Sequence, residues 1–346
     1  MSLIDFKPHF MSYSLCTAPF RDIEKGCQII ADNFPEAVPI PRFAKGLRHL
    51  LGGMPCLVID SERRRLYFDI SSEREGELVN FYDRYLAEDL DYWAISPQEA
   101  RGMFEMLDML KARQSKQIKM VSCAVPGPLN LGYTITDKEG KPCLFDDTLR
   151  DIMIKHLAMK AAWMERRIRQ ELPGVETAVE MGEPALSIFT SAVGTGTRED
   201  LQKWLNETLE RVEGIRGFHC CANADWPIIL DTDIDYLHFD AYQFGDKLAL
   251  YSGGISSFLE RGGMIMWGII PNTDEGLAAE NLDSLEEKLE NMLDGMVKAG
   301  VDNQLLSERS FVSTCCDTSN MSAEMAEKAF QMTKQLTERM RQNHPL

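Results

Sequence analysis

From about residue 115 onward, short apolar runs alternate with longer stretches of helical period. The run QIKMVSCAV (117–125) predicts a strand and ends at Pro126-Gly127-Pro128, a loop signal. A helical pattern follows through LRDIMIKHLAMKAAWMERRIRQEL and stops at Pro173-Gly174. ETAVEMG (176–182) predicts the next strand, and Thr197 with Asp200 three residues on makes a capping-box start for REDLQKWLNETLERV. GFHCC, IDYLHFDAY and GMIMWGII predict three more strands with helical stretches between them. Leu282, Leu285, Leu289, Met292 and Met296 recur at spacings of three and four, one face of a helix ending near Gly300. RSFVSTCC is a last strand, and Ala326, Phe330, Thr333, Leu336 and Met340 mark a closing helix. Upstream, MPCLVID, RRLYFDI and DYWAIS read as strands, with SPQEARGMFEMLDMLKAR helical after the third.

Repeated β-α units predict a parallel sheet, and the number of candidate strands favours a closed α/β fold, a single (β/α)8 TIM barrel, over an open doubly wound sheet. No linker, repeat or low-complexity tract divides the 346 residues, so residues 1–346 are expected to form one barrel domain. Residues 1–50 lack a clear period and are expected to form an irregular N-terminal extension or lid.

Composition narrows the partners. At 44% apolar and 26% charged the chain has ample material for a core. Its net charge of −17, with no interleaving of basic and aromatic residues, argues against nucleic acid or an anionic membrane as partner. The cysteines are too sparse for a disulfide scaffold, and neither a signal-peptide pattern nor an 18-residue apolar run is present. The expectation is a cytoplasmic protein with reduced thiols.

In a parallel barrel the site collects at the C-terminal ends of the strands. Side chains alternate along GFHCC, so His219 and Cys221 share one face and Cys220 takes the other. Tyr236, His238 and Asp240 likewise share a face of the following strand, and VSTCCD brings Cys315 and Cys316 to another strand end. His219, Cys221, Asp240 and Cys316 together offer one nitrogen, two sulfurs and one oxygen, a donor set suited to Zn2+. No paired Cys-x2-Cys element is present, so spacing alone leaves buried packing cysteines as the competing reading.

Several of these segments resemble a known family. HCCANADWPIIL, IDYLHFDAYQF, LERGGMIMWGIIP and VSTCCDTS resemble, in order, the second half of the cobalamin-independent methionine synthase catalytic barrel, and are most similar to its short single-barrel relatives within the wider uroporphyrinogen decarboxylase/methionine synthase superfamily. VPGPLNL and EMGEPALSIF resemble that family's Pro-Gly-Pro loop and its Asp-Glu-Pro-Ala-Leu strand; SYSLCTAPFRDIEKGCQIIADNFPEAVPIPRF resembles the opening of the short relatives. The resemblance covers most of the chain but is patchy between residues 50 and 115. It implies that His219, Cys221 and Cys316 bind zinc and that Asp240 stands where the synthase uses a zinc-binding Glu, one methylene longer. It further implies a methyltransferase of methionine biosynthesis, acting on a small-molecule thiol of homocysteine type.

Two departures qualify what is carried over. The family's Asp before Glu, which helps hold the homocysteine amino group, is Gly182 here, while Glu183 matches the next position. The full synthase has two barrels and takes its methyl group from folate; this chain has room for one, so a methyl-corrinoid protein joins methyl-folate as a candidate donor. Asp240, His238 and Glu183 are the candidate catalytic residues, His238 either lining a pocket or pairing with an acid. Two rivals stay open: a non-catalytic zinc-binding barrel that binds a corrinoid or partner protein, and a uroporphyrinogen-decarboxylase-like enzyme. Cys220 and Cys315 are expected to pack, as are Cys16, Cys27, Cys56, Cys123 and Cys143; His156 is expected to be an ordinary helix residue. Residues 194–197, GTGT, lack the third glycine of a dinucleotide fingerprint and are expected to form a loop.

Overall fold

The computed structural model describes residues 5–15, 17–43, 48–189 and 196–346; the expectations for Cys16 and for the first two residues of GTGT lie outside them. Among the described residues ten strands form: β1 (Met11–Tyr13), β2 (Ala37–Pro39), β3 (Leu57–Asp60), β4 (Arg65–Phe68), β5 (Met120–Pro126), β6 (Glu176–Gly182), β7 (Ile215–Cys220), β8 (Tyr236–Phe239), β9 (Met264–Ile270) and β10 (Ser310–Thr314). Eight of them make one sheet in the order β1-β10-β9-β8-β7-β6-β5-β2, and every pairing is parallel. Just beyond the outer two strands, Thr17 and Arg42 form a parallel bridge, and the Ala18 N–H donates to the Arg42 carbonyl at 3.0 Å. The sheet therefore curls into a nearly closed (β/α)8 barrel with helices around it.

The long helices follow the expected periods. Asp147–Glu171 is capped by Asp146, whose side chain accepts from the N–H groups of Thr148 and Leu149. Arg198–Leu209 starts at the Thr197/Asp200 capping box. Helix Leu282–Lys298 buries Leu285, Leu289, Met292 and Met296, and helix Ala323–Asn343 buries Ala326, Phe330, Leu336 and Met340. Their apolar stripes face the sheet, where each fully buried Leu, Phe or Met contributes about 1.5–3 kcal/mol.

Three upstream expectations are corrected. The segments MPCLVID and RRLYFDI do form strands, but as an antiparallel β3–β4 hairpin outside the barrel sheet. DYWAIS is a 3-10 turn, Leu90–Trp93, that buries Trp93. Residues 1–50, expected as an irregular extension or lid, supply β1 and β2. Each of these strands has three residues, all buried on both faces, which leaves no apolar-polar alternation to read.

Strand register sets what enters the lumen. Ala178 lies opposite Ile215, Gly217 opposite Tyr236 and His219 opposite His238, so these positions share the inner face. At the N-terminal end the inner face is an apolar plug that includes Met11, Met120, Ile215, Met264 and Phe311. Toward the C-terminal end it turns polar, with Ser122, Glu180, His219, His238 and Ser313 all buried.

Candidate metal centre

β7 presents His219 inward, and Cys221 follows one residue past the strand end. β10 ends at Thr314, and Cys316 lies two residues on. One ligand atom from each of His219, Cys221 and Cys316 falls within 4.8 Å of the other two. His219 is buried, and the two cysteines are half-buried at the rim. Alternation sends Cys220 outward into the layer between sheet and helices, where its thiol donates to the Ala222 carbonyl at 3.6 Å. Cys315 is likewise buried, its thiol 3.1 Å from Asn272 Oδ1.

Two features set His219 apart from a packing histidine. Neither Nδ1 nor Nε2 has a hydrogen-bond partner among the described residues, although both atoms are buried. Burial first, and the neighbouring His238 second, hold its pKa well below the usual histidine range, so the ring is neutral and free to donate a lone pair. A buried polar side chain with two unmet nitrogens costs free energy unless something outside the protein satisfies it.

The two thiols perturb each other. The hydrogen bond from Cys316 brings Cys221 down to about 7, and the same bond drives Cys316 well above the ordinary thiol range. Cys220 lacks such a partner, and burial pushes it up to about 12.

Behind His219 stands a carboxylate that sequence reasoning missed. Glu180 is fully buried; its Oε2 accepts from the Tyr236 hydroxyl at 3.1 Å and from His238 Nδ1 at 3.2 Å. Its Oε1 has no partner among the described residues, and Glu180, His219 and His238 form a second close group within 4.8 Å. His238 is thus paired with an acid, and its Nε2 lies 3.1 Å from Ser313 Oγ and from the Thr314 carbonyl oxygen. Its ring sits 4.3 Å from that of His219, centroid to centroid. Alternation along ETAVEMG put Glu180 on the face of Gly182, and that was the available signal.

Asp240 and Glu183 are placed differently from expectation. Asp240 is buried but stands outside the cluster of His219, Cys221 and Cys316. It caps the following helix, Ala241–Leu248: Oδ1 accepts from the Gln243 N–H at 2.9 Å and Oδ2 from Gln243 Nε2 at 2.5 Å. The pattern D-x-x-Q is itself a capping signature, and one that accounts for both oxygens. Glu183 is also spent on backbone. It accepts from the N–H groups of Leu129 at 2.7 Å, Asn130 at 2.9 Å and Ala185 at 3.3 Å, anchoring the helix after the Pro-Gly-Pro loop. Gly127 makes room for it, since a Cβ there would lie 2.2 Å from Oε2. Burial pushes Glu183 up to about 8 even against those three donors. Around Gly182 there is space: an added Cβ would meet only the Val125 carbonyl, at 4.0 Å, among the described residues.

No family model matches the sequence, and no curated protein matches it. Among solved structures, the chain is similar to a B12-independent methionine synthase from Shewanella sp. W3-18-1 in complex with selenomethionine. That match has 16% identity, covers 68% of this chain and 67% of that one, and has a TM-score of 0.48. A protein provisionally named an alpha-L-fucosidase, from Bacteroides thetaiotaomicron VPI-5482, matches at 13% identity over 99% and 98% of the two chains, with a TM-score of 0.32. At these scores neither likeness assigns any chemistry; the barrel stands on its own strand order. No helix among the described residues is long and apolar enough to cross a membrane.

The donor set fits zinc. Two thiols and a neutral imidazole whose nitrogens have no partner among the described residues are the soft and borderline ligands this ion takes.

Proposed function

We propose that the chain is a zinc-dependent methyltransferase whose acceptor is a small-molecule thiol of homocysteine type and whose donor is a methyl-corrinoid or a methyl-folate. The observation that carries this reading is the convergence, at the C-terminal ends of β7 and β10, of Cys221, Cys316 and a His219 whose nitrogens have no partner among the described residues. His219, Cys221 and Cys316 would hold the ion. Bound there, zinc would supply the acidity that keeps an acceptor thiol ionised at neutral pH.

The remaining roles belong to the chain. Glu180 Oε1 is the available acceptor for the His219 ring N–H not used for the ion, and it would fix the tautomer and the ring orientation. His238, held by Glu180 and Ser313, packs against that ring. The apolar plug below closes the lumen, so a thiol enters and leaves only at the rim. Asp240, through its cap, positions the helix that begins beside the cluster. In the transfer, the acceptor sulfur supplies the electron pair of the new S–CH3 bond. The methyl–cobalt or methyl–nitrogen bond breaks with its pair going to the donor, and a folate donor also takes up a proton at the leaving nitrogen.

Gly182 and the fully engaged Glu183 favour the second reading, a non-catalytic zinc-binding barrel that binds a corrinoid or partner protein, because neither of these two positions offers a free carboxylate to an amino group. A uroporphyrinogen-decarboxylase-like activity leaves the sulfur cluster unused. Zinc-loaded protein should be assayed for methylation of homocysteine with methylcobalamin and, separately, with methyl-tetrahydrofolate. The expected outcome is S-methylation with one donor and its loss in Cys221→Ala. Full zinc occupancy without turnover on either pair contradicts the methyltransferase and selects the non-catalytic barrel.

A further inference from the structure

A second feature lies on the same barrel face. A cavity of about 720 Å3 opens between the segments that follow β1 and β2, lined in part by Arg21, Arg42, Arg101 and His49. Among the described residues, the side chains of these three arginines form no hydrogen bond or ion pair. That is unusual in this acidic chain. Arg74, Arg84, Arg113, Arg150, Arg166, Arg169, Arg198, Arg211, Arg339 and Arg341 are all ion-paired, and Arg65, Arg216, Arg261 and Arg309 donate to backbone carbonyls. Arg42 Nε is buried without a partner, so its desolvation is uncompensated.

Among the described residues the single acid on the cavity wall is Glu99, and its Oε2 already accepts from the Ser96 N–H at 3.0 Å and the Ser96 hydroxyl at 2.7 Å. Lys160 adds positive charge nearby; it is buried, and its ammonium donates to the Trp93 carbonyl at 3.1 Å. The field is felt locally: burial, then Arg42 and Lys160, push His49 down to about 4. The rest of the wall is apolar, including Phe20, Ile40, Phe43 and Met103. Guanidinium groups without carboxylates, set against aromatic and aliphatic side chains in a volume of small-ligand size, make a receptor for an anion on an apolar body.

We propose that this cavity binds an organic anion, with its carboxylate or phosphoryl group on Arg21, Arg42 and Arg101 and its apolar part against Phe20, Ile40 and Phe43. The cavity reaches Ala124, which pairs across the sheet with Glu180, and Ser319, three residues past Cys316, so its ligand approaches the metal cluster from the side. Binding here does not depend on the zinc reading and is expected to persist in Cys221→Ala.

The test is a pair of fluorescence titrations on the full chain. One probe is the aromatic anion 8-anilinonaphthalene-1-sulfonate; the other is its uncharged counterpart N-phenyl-1-naphthylamine. Arg42→Gln and Arg101→Gln should each weaken the anion by roughly tenfold, the worth of one charge-assisted hydrogen bond, and leave the neutral probe within about twofold. Arg101 and Arg21 are exposed, so the double variant Arg21→Gln/Arg101→Gln carries the test if Arg42→Gln does not fold. Phenyl phosphate and benzoate then compete with the bound anion, and the stronger competitor names the head group. Equal weakening of both probes, no change in either, or displacement by neither competitor overturns the proposal.

Discussion

His156 and His219 are both buried imidazoles, and the difference between them separates structure from chemistry in this molecule. His156 sits inside helix Asp147–Glu171 with both nitrogens satisfied: Trp93 Nε1–H donates to Nδ1 at 3.2 Å, and Nε2–H donates to the Leu50 carbonyl at 2.8 Å. His219 is as deeply placed, and neither of its nitrogens has a partner among the described residues. One histidine ties a 3-10 turn to a helix. The other stands beside two thiols, in a group that could hold a metal ion. Burial alone does not distinguish them; the count of unmet nitrogens does.

The largest effect should come from exchanging these fates by mutation. His219→Ala should weaken zinc binding by about 100-fold or more, since a three-residue ligand set loses its only nitrogen. Excess zinc should stabilise the native protein by ~3–4 kcal/mol at a hundred to a thousand times Kd, and that gain should vanish in His219→Ala. Thermal melts with and without added zinc read it. His156→Ala should do the reverse, costing about 2–4 kcal/mol by leaving the Trp93 and Leu50 groups unpaired while zinc affinity stays unchanged.

Acid titration probes the structural histidine next. Burial, then Lys160, hold the folded pKa of His156 at about 3, below the ordinary value of 6.5. Above 6.5 both folded and unfolded forms are neutral and its contribution is complete. Between 6.5 and 3 only the unfolded chain takes up the proton, so stability falls as pH falls across that window. Denaturant melts at successive pH values should show this slope, and His156→Gln should flatten it. An unchanged slope in that variant would move the acid sensitivity elsewhere.

A smaller effect is expected behind His219. Glu180→Gln keeps the shape but removes the carboxylate facing the ring, and should weaken zinc by about tenfold, well short of losing a ligand. A competition titration with a chromophoric chelator measures it. No change would leave Glu180 serving only Tyr236 and His238.

The outcome for each residue shows what sequence pattern carries. Strands β5 to β10 are long enough, and flanked by clear enough helices, for alternation to separate His219 and Cys221 from Cys220. β1 and β2 escape because three residues buried on both faces carry no period. DYWAIS has strand-like composition, yet tertiary packing of Trp93 against Phe81 and His156 wins and makes it a turn. At Asp240 the pattern carries two signals, a candidate site residue and, with the glutamine three residues on, a helix cap. Glu183 was read as a pocket residue, but its three backbone donors come from two separate segments, which no local pattern reports. Glu180 was overlooked because a lone acid in an apolar run gives no spacing signal; its meaning depends on His238 and Tyr236 one strand away from its neighbour.

The central claim is that Cys221 and Cys316, drawn from strands that are not neighbours in sequence, complete one metal centre with His219. Metal analysis of the purified chain beside Cys221→Ala and Cys316→Ser tests it most directly. The account predicts about one zinc per native chain and a sharp fall in each variant; undiminished zinc in both variants, or none in the native protein, would contradict it.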